Sequence, residues 1–148
     1  MGKVESAVEL YRRGCACSQA IVATYGPEAG GEREQALRMA CAFGGGMRMA
    51  ETCGAVSGAL MVIGLRHAGR PCDTSAGRKE ANAHATDFIA RFKERRGSVL
   101  CRELLGCDIS TLLGAATARE QNLFATVCAD IVRDAAELLE TDTRQYGA

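Results

Sequence analysis

Eight cysteines, two histidines and no tryptophan define the chemistry open to this 148-residue chain. Cys53 is the most informative of the thiols. It opens the segment Cys53-Gly54-Ala55-Val56-Ser57-Gly58, just after Gly44-Gly45-Gly46 and just before the apolar run Leu60-Met61-Val62-Ile63-Gly64-Leu65. That arrangement predicts a helix start with a thiol in its first turn. The positive end of the helix dipole favours the thiolate, the form that binds metals and exchanges disulfides.

Three other cysteines share this placement. Cys17 begins a helical pattern, Cys101 follows Ser98 into one, and Cys128 falls in the first turn of the last. The residues three and four positions on are apolar or small: Ala20 and Ile21, Val56 and Ser57, Leu104 and Leu105, Ile131 and Val132. Helical spacing therefore turns all four side chains toward the core. If they converged, the dipoles would lower their pKa values together. Buried cysteine also serves as a small hydrophobe, and periodicity does not say whether inward thiols face each other.

The remaining cysteines carry weaker patterns. Cys15 and Cys17 form Cys-x-Cys, which can chelate a soft metal but lacks zinc-knuckle spacing. Cys41 continues the Leu37 stripe and is expected in the core. Cys72 follows Pro71 in a loop, exposed. Cys107 lies too far from Cys101 for a two-residue redox loop. No Cys-x-x-Cys occurs, which excludes a thioredoxin-type motif and covalent c-type haem attachment.

Gly54 and Gly58 stand one turn apart, as do Ala55 and Ala59. Helix-interior glycine costs up to about 1 kcal/mol against alanine, so the pair implies close approach by a neighbour. A tightly packed helix is the first reading; a cofactor or a partner thiol against Gly54, Ala55 and Gly58 is the functional one, with the Gly54 and Ala55 N–H groups near sulfur. The triple glycine reads as a turn needing positive φ. His67, at a helix end, is expected in solvent, and His84 lies in a polar helix. Met39, Met47, Met49 and Met61 are expected to fill the core. Glu51 is either a proton acceptor near Cys53 or an ordinary helix-start acid.

Helices must position these groups. Strand-type alternation is almost absent, while Ala, Leu, Glu and Arg dominate. Amphipathic stretches run from Val4 to Gly14, Cys17 to Tyr25, about Glu32 to Phe43, Cys53 to His67 and Ser75 to Arg96. A short one runs from Ser98 to Leu105, Arg119 to Phe124 forms one turn or two, and the last covers about Thr126 to Leu139. The expected fold is an all-α bundle of about seven helices, several short, in one domain spanning 1–148.

Composition removes several classes. Eighteen basic residues balance eighteen acidic ones, and aromatics make up 5%, so neither a nucleic-acid field nor a base-stacking platform is present. The longest apolar stretch, Cys53 to Leu65, is too short to span a bilayer. The first residues mix charges and lack the apolar core of a signal peptide, which points to the cytoplasm, where thiols stay reduced.

Phe43-Gly44-Gly45-Gly46-Met47 followed by Glu51-Thr52-Cys53-Gly54-Ala55-Val56-Ser57-Gly58-Ala59-Leu60 resembles the signature of the C_GCAxxG_C_C family, described as redox-active by inference. Cys17-Ser18-Gln19-Ala20, Cys101-Arg102-Glu103-Leu104-Leu105-Gly106 and Cys128 with Val132-Arg133-Asp134-Ala135-Ala136 are similar to its other cysteine segments. Ala16 stands where family members carry an asparagine cap, and Cys15 is an addition. The resemblance implies a four-thiolate redox site of Cys17, Cys53, Cys101 and Cys128, with an iron–sulfur cluster for electron transfer or sensing as its leading content. The same residues also suit two dithiol/disulfide pairs. A third reading is a helical binding or structural module with a four-thiolate zinc site or no metal. A redox partner protein and a homodimer are the expected associations.

Overall fold

The computed structural model describes residues 1–145. Its helices are α1 (Lys3–Arg12), α2 (Cys17–Tyr25), α3 (Arg33–Ala40), α4 (Gly54–His67), α5 (Ser75–Arg96), α6 (Cys101–Leu105), α7 (Leu112–Glu120) and α8 (Ala129–Gln145). The all-α expectation holds: among the described residues there is no strand, only one antiparallel bridge between Thr52 and Leu100. Among the described residues, no helix is long and apolar enough to cross a membrane.

The core lies where α2, α4 and α8 meet, with α1 packed on α2 and α8, and α5 on α4 and α8. Ile21, Tyr25, Val56, Val62, Ile63, Phe88, Phe92, Ile131 and Leu139 fill it. Each of these helices carries its apolar residues at one-turn spacing, so burial of a single stripe per helix closes the bundle. Gly58 lets α4 approach α2 closely. A Cβ there would stand 2.8 Å from the Ser18 carbonyl oxygen and 3.3 Å from Ile21 Cβ. Close helix packing is thus the reason for this glycine.

Several expectations change. Helix α7, Leu112–Glu120, falls almost wholly before the turn or two expected over Arg119 to Phe124, on residues where no helix was expected. Thr111 caps it by accepting the Gly114 N–H at 3.0 Å, but Leu112 and Leu113 are exposed and no apolar stripe announces it. Cys41 is exposed, because α3 tightens at Cys41–Phe43 into a 3-10 turn. The change from 3.6 to 3.0 residues per turn rotates Cys41 off the Leu37 stripe. Met39 and Met49 are exposed rather than core.

His84 is buried and His67 is half-buried rather than in solvent, and both hydrogen-bond to Asp142. Their partner lies some sixty residues or more away in sequence, which explains why local pattern missed it.

Candidate redox site

Two loop-to-helix junctions are stitched together to bring Cys53 and Cys101 side by side. The Thr52–Leu100 bridge is flanked by two backbone hydrogen bonds. The Cys53 N–H donates to the Val99 carbonyl at 2.8 Å, and the Cys101 N–H donates to the Glu51 carbonyl at 2.6 Å. Cys53 is the N-cap of α4, and its carbonyl accepts the Val56 and Ser57 N–H groups. Cys101 is the first residue of α6. Ser98 braces that turn, accepting the Leu100 N–H at 3.0 Å and donating to Glu103 at 2.6 Å.

Cys17 opens α2. With alanine at position 16 there is no side-chain cap, but the Ala16 N–H still donates to Gln19 Oε1 at 3.0 Å, half of the reciprocal arrangement. Cys128 ends a π turn, Phe124–Cys128, that runs into α8; its N–H donates to the Leu123 carbonyl at 3.1 Å. It therefore sits just before the last helix rather than inside it.

The chain reaches the stitch through an unusual turn. Gly45, Gly46, Met47 and Arg48 are all left-handed, with φ of 67°, 64°, 59° and 62°. Two of these are not glycine, and such conformations are held only when neighbours enforce them. Gly46 is irreplaceable: its Cβ would lie 2.5 Å from the Glu51 nitrogen and 2.9 Å from Cys101 Cβ. Arg102 braces the exit, contacting the Ala50 carbonyl at 3.2 Å and Glu51 Oε1 at 2.8 Å. Glu51 is thus tied into an ion pair.

These elements bring Cys17, Cys53, Cys101 and Cys128 to one cavity of about 360 Å³. Tyr11, Cys41, Gly44, Gly45, Gly46, Gly54 and Phe124 share its lining. Cys53, Cys101 and Cys128 are buried. Cys15, Cys72 and Cys107 do not line it.

Residues 15–141 match the model of a family described as "Putative redox-active protein (C_GCAxxG_C_C)". The chain belongs to the C_GCAxxG_C_C family. No curated protein and no solved structure matches it. Cys53-Gly54-Ala55-Val56-Ser57-Gly58 puts cysteine at the cap and glycine at the first helical position, against α2. A Cβ on Gly54 would lie 3.1 Å from the Ser18 nitrogen and 3.3 Å from Cys17 Cβ.

In this C_GCAxxG_C_C protein the four thiols do not shift together. The Cys17 thiol is pushed well up, because it gives its hydrogen bond to Cys128 and Cys53 and is buried. The same hydrogen bond holds Cys53 down; burial opposes it, and the Ala55 and Val56 N–H groups add to it. Cys128 is likewise lowered, first by Cys17, against burial, with help from the Tyr11 hydroxyl. Cys101 is pushed up to about 12 by burial and by the charges on Cys53 and Cys128. Uniform lowering by helix dipoles is thus corrected: at these short separations a shared proton and mutual repulsion outweigh the dipoles.

Two thiols held below the ordinary value and two pushed above it make up the metal-free centre. The Ala55 and Val56 N–H groups help hold Cys53 down, and Gly58 serves the α2 contact. Tyr11 was not foreseen, because it belongs to the apolar stripe of α1. Its hydroxyl donates to the Phe124 carbonyl at 2.8 Å and also reaches Cys128, and burial with the Cys128 charge holds it protonated.

Proposed function

We propose that this protein is an electron-transfer or redox-sensing protein in which Cys17, Cys53, Cys101 and Cys128 hold an iron–sulfur cluster. One observation carries the reading: four cysteines from four separate segments line one cavity at the junction of those segments. The donors are soft thiols, and the cavity they line has a volume of about 360 Å³.

A single zinc ion fits less well. It needs four sulfurs about 2.3 Å from one point, hence within about 4 Å of one another. Among the described residues, the group of metal-capable side chains with all ligand atoms within 4.8 Å is His67, His84 and Asp142, not three of these cysteines.

Bound there, the cluster would supply one-electron exchange. The chain's own groups do the rest. Cys53 and Cys128 are already biased to the thiolate, so ligation displaces fewer protons. The Ala55 and Val56 N–H groups donate to the Cys53 sulfur and the Tyr11 hydroxyl dipole lies beside Cys128, which stabilises the more negative state. Anaerobic purification or reconstitution is expected to give visible absorbance with stoichiometric iron and labile sulfide. A colourless, iron-free chain after reconstitution overturns the reading.

A dithiol reading has its own support. The Cys17 thiol interacts with both Cys53 and Cys128, and that interaction is the leading cause of the shift at each of the three. Oxidation of either pair would form one S–S bond, releasing two protons and two electrons to an oxidised thiol partner. Mild oxidation of the metal-free chain followed by mass spectrometry should then find Cys17 linked to Cys53 or Cys128; no such linkage overturns it.

A further inference from the structure

The cavity wall carries two arginines that the redox chemistry of the sulfurs does not use. Arg48 and Arg119 both line it. Neither guanidinium has a hydrogen bond or ion pair among the described residues, whereas Arg102 nearby is tied to Glu51 and the Ala50 carbonyl. Arg48 reaches back over the turn that carries it: its Nη1 lies 3.5 Å from where a Cβ on Gly45 would be. Its backbone is left-handed, with φ of 62°, so the fold holds this side chain at the mouth in a conformation an L-residue rarely takes. Arg119 comes from the last turn of α7 and lines the same cavity.

The acids of this region are engaged. Glu51 pairs with Arg102 at 2.8 Å, Glu103 accepts from Ser98, and Asp108 accepts from the N–H and hydroxyl of Ser110. Two unpaired guanidinium groups thus face a half-enclosed space of about 360 Å³, the size of a small-molecule site. Arginine's planar fork matches carboxylate and phosphate oxygens.

We propose that the mouth of this cavity is a binding site for a small oxyanion, a carboxylate or phosphate group, held between Arg48 and Arg119 beside the cysteines. The site is the entry through which a charged small molecule meets the sulfur centre. The proposal rests on the redox reading only in that last role; the anion site itself stands without a cluster.

Cys41 supplies the reporter. It is exposed, lines the same cavity and is not among the four cysteines of the centre. Arg38, one turn before it, is already paired with Glu34 at 3.3 Å. Cys72, also exposed, lies between Arg70 and Asp73 away from the cavity and serves as internal control. The test compares alkylation by anionic iodoacetate and neutral iodoacetamide at both sites, read by mass spectrometry on the reduced full-length chain. The ratio of the two rates cancels each thiol's own ionisation.

The expected ratio at Cys41 exceeds that at Cys72 by about tenfold, the low end of what a charged cleft does to an encounter rate. Millimolar orthophosphate should suppress the excess. The Arg48→Gln/Arg119→Gln double variant should bring the ratio down to that of Cys72; both residues are exposed, so folding is not at stake. Equal ratios in the wild type, an excess that phosphate does not touch, or an excess that survives the double substitution would each overturn the proposal. A chain that shows the excess yet never takes up iron and sulfide supports the anion site while overturning the cluster.

Discussion

At the scale of single residues, Cys17 controls the centre without being its most reactive thiol. Its proton is shared with Cys53 and Cys128, and that sharing is the leading reason both are lowered. Cys17→Ser replaces the thiol by a hydroxyl in a slightly smaller volume. The midpoints for alkylation of Cys53 and Cys128 in the metal-free chain should then change, rising toward ordinary thiol values wherever the serine fails to reach them. Cys17→Ala removes the donor outright, and both midpoints should rise. Tyr11→Phe isolates the second donor. It should raise the Cys128 midpoint while leaving Cys53 unmoved, and cost about 1 kcal/mol by orphaning the Phe124 carbonyl, read by denaturant melts. The four cysteines were legible in the sequence because helix-start spacing marks an inward side chain. Their convergence and their unequal ionisation were not, because both depend on contacts between segments distant in sequence. Tyr11 was hidden for a related reason: an aromatic on an apolar stripe looks like packing until its hydroxyl is placed.

At the scale of elements, the site depends on how closely α4 lies on α2 and on the stitch between residues 51–53 and 99–101. Two glycines of α4 separate packing from propensity. A Cβ on Gly58 meets Ser18 Cα at 3.0 Å and the Ser18 carbonyl at 2.8 Å, both backbone atoms that cannot swing away. Gly58→Ala should therefore destabilise by about 1–3 kcal/mol, the range for overpacking, despite the better helix former. Gly64, two turns on, has nothing within 4 Å of its Cβ position. Gly64→Ala should stabilise by up to about 1 kcal/mol. Thermal melts of the two variants should move in opposite directions. Most helices were readable from apolar periodicity bounded by glycine or proline: α2 runs over Cys17–Tyr25 as expected, and α5 over Ser75–Arg96. Helix α7 was not, since its leading leucines face outward and its signal is a threonine cap alone. The π turn before α8 and the 3-10 turn after α3 change helical pitch, which a fixed 3.6 period cannot register.

At the scale of the whole molecule, one buried carboxylate ties three helices together away from the cysteine cavity. Asp142 of α8 accepts from His84 of α5 at 2.6 Å and from His67 of α4 at 3.1 Å, with Arg66 at 3.4 Å. Arg66 also donates to the Leu139 carbonyl at 2.7 Å. The two imidazoles stack at 3.5 Å with planes 13° apart, so their nitrogen lone pairs lie in near-parallel planes and do not converge on one ion. The trio is therefore a hydrogen-bonded tie, with each oxygen of an acceptor-only carboxylate taking one ring N–H. Burial pushes the Asp142 carboxyl up, but the hydrogen bonds from His84 and His67 outweigh it and hold it below the usual value. A depressed folded pKa contributes stability that is complete above the unfolded pKa, near 4, and is lost as pH falls through it toward the folded value. Asp142→Asn removes one of the two carboxylates beside Arg66, leaving Glu28 at 3.7 Å, and turns one oxygen into a donor facing an N–H. It should cost about 1–3 kcal/mol at neutral pH, the penalty for a buried polar group left unsatisfied. That corresponds to roughly 3–10 °C in melting temperature for a chain of this size. The variant should also lose part of the wild type's fall in stability below about pH 4. Equal acid slopes in the two proteins would remove Asp142 from this role. Because the tie does not line the cysteine cavity, Asp142→Asn protein held below its melting point should keep the wild-type alkylation midpoints at Cys53 and Cys128.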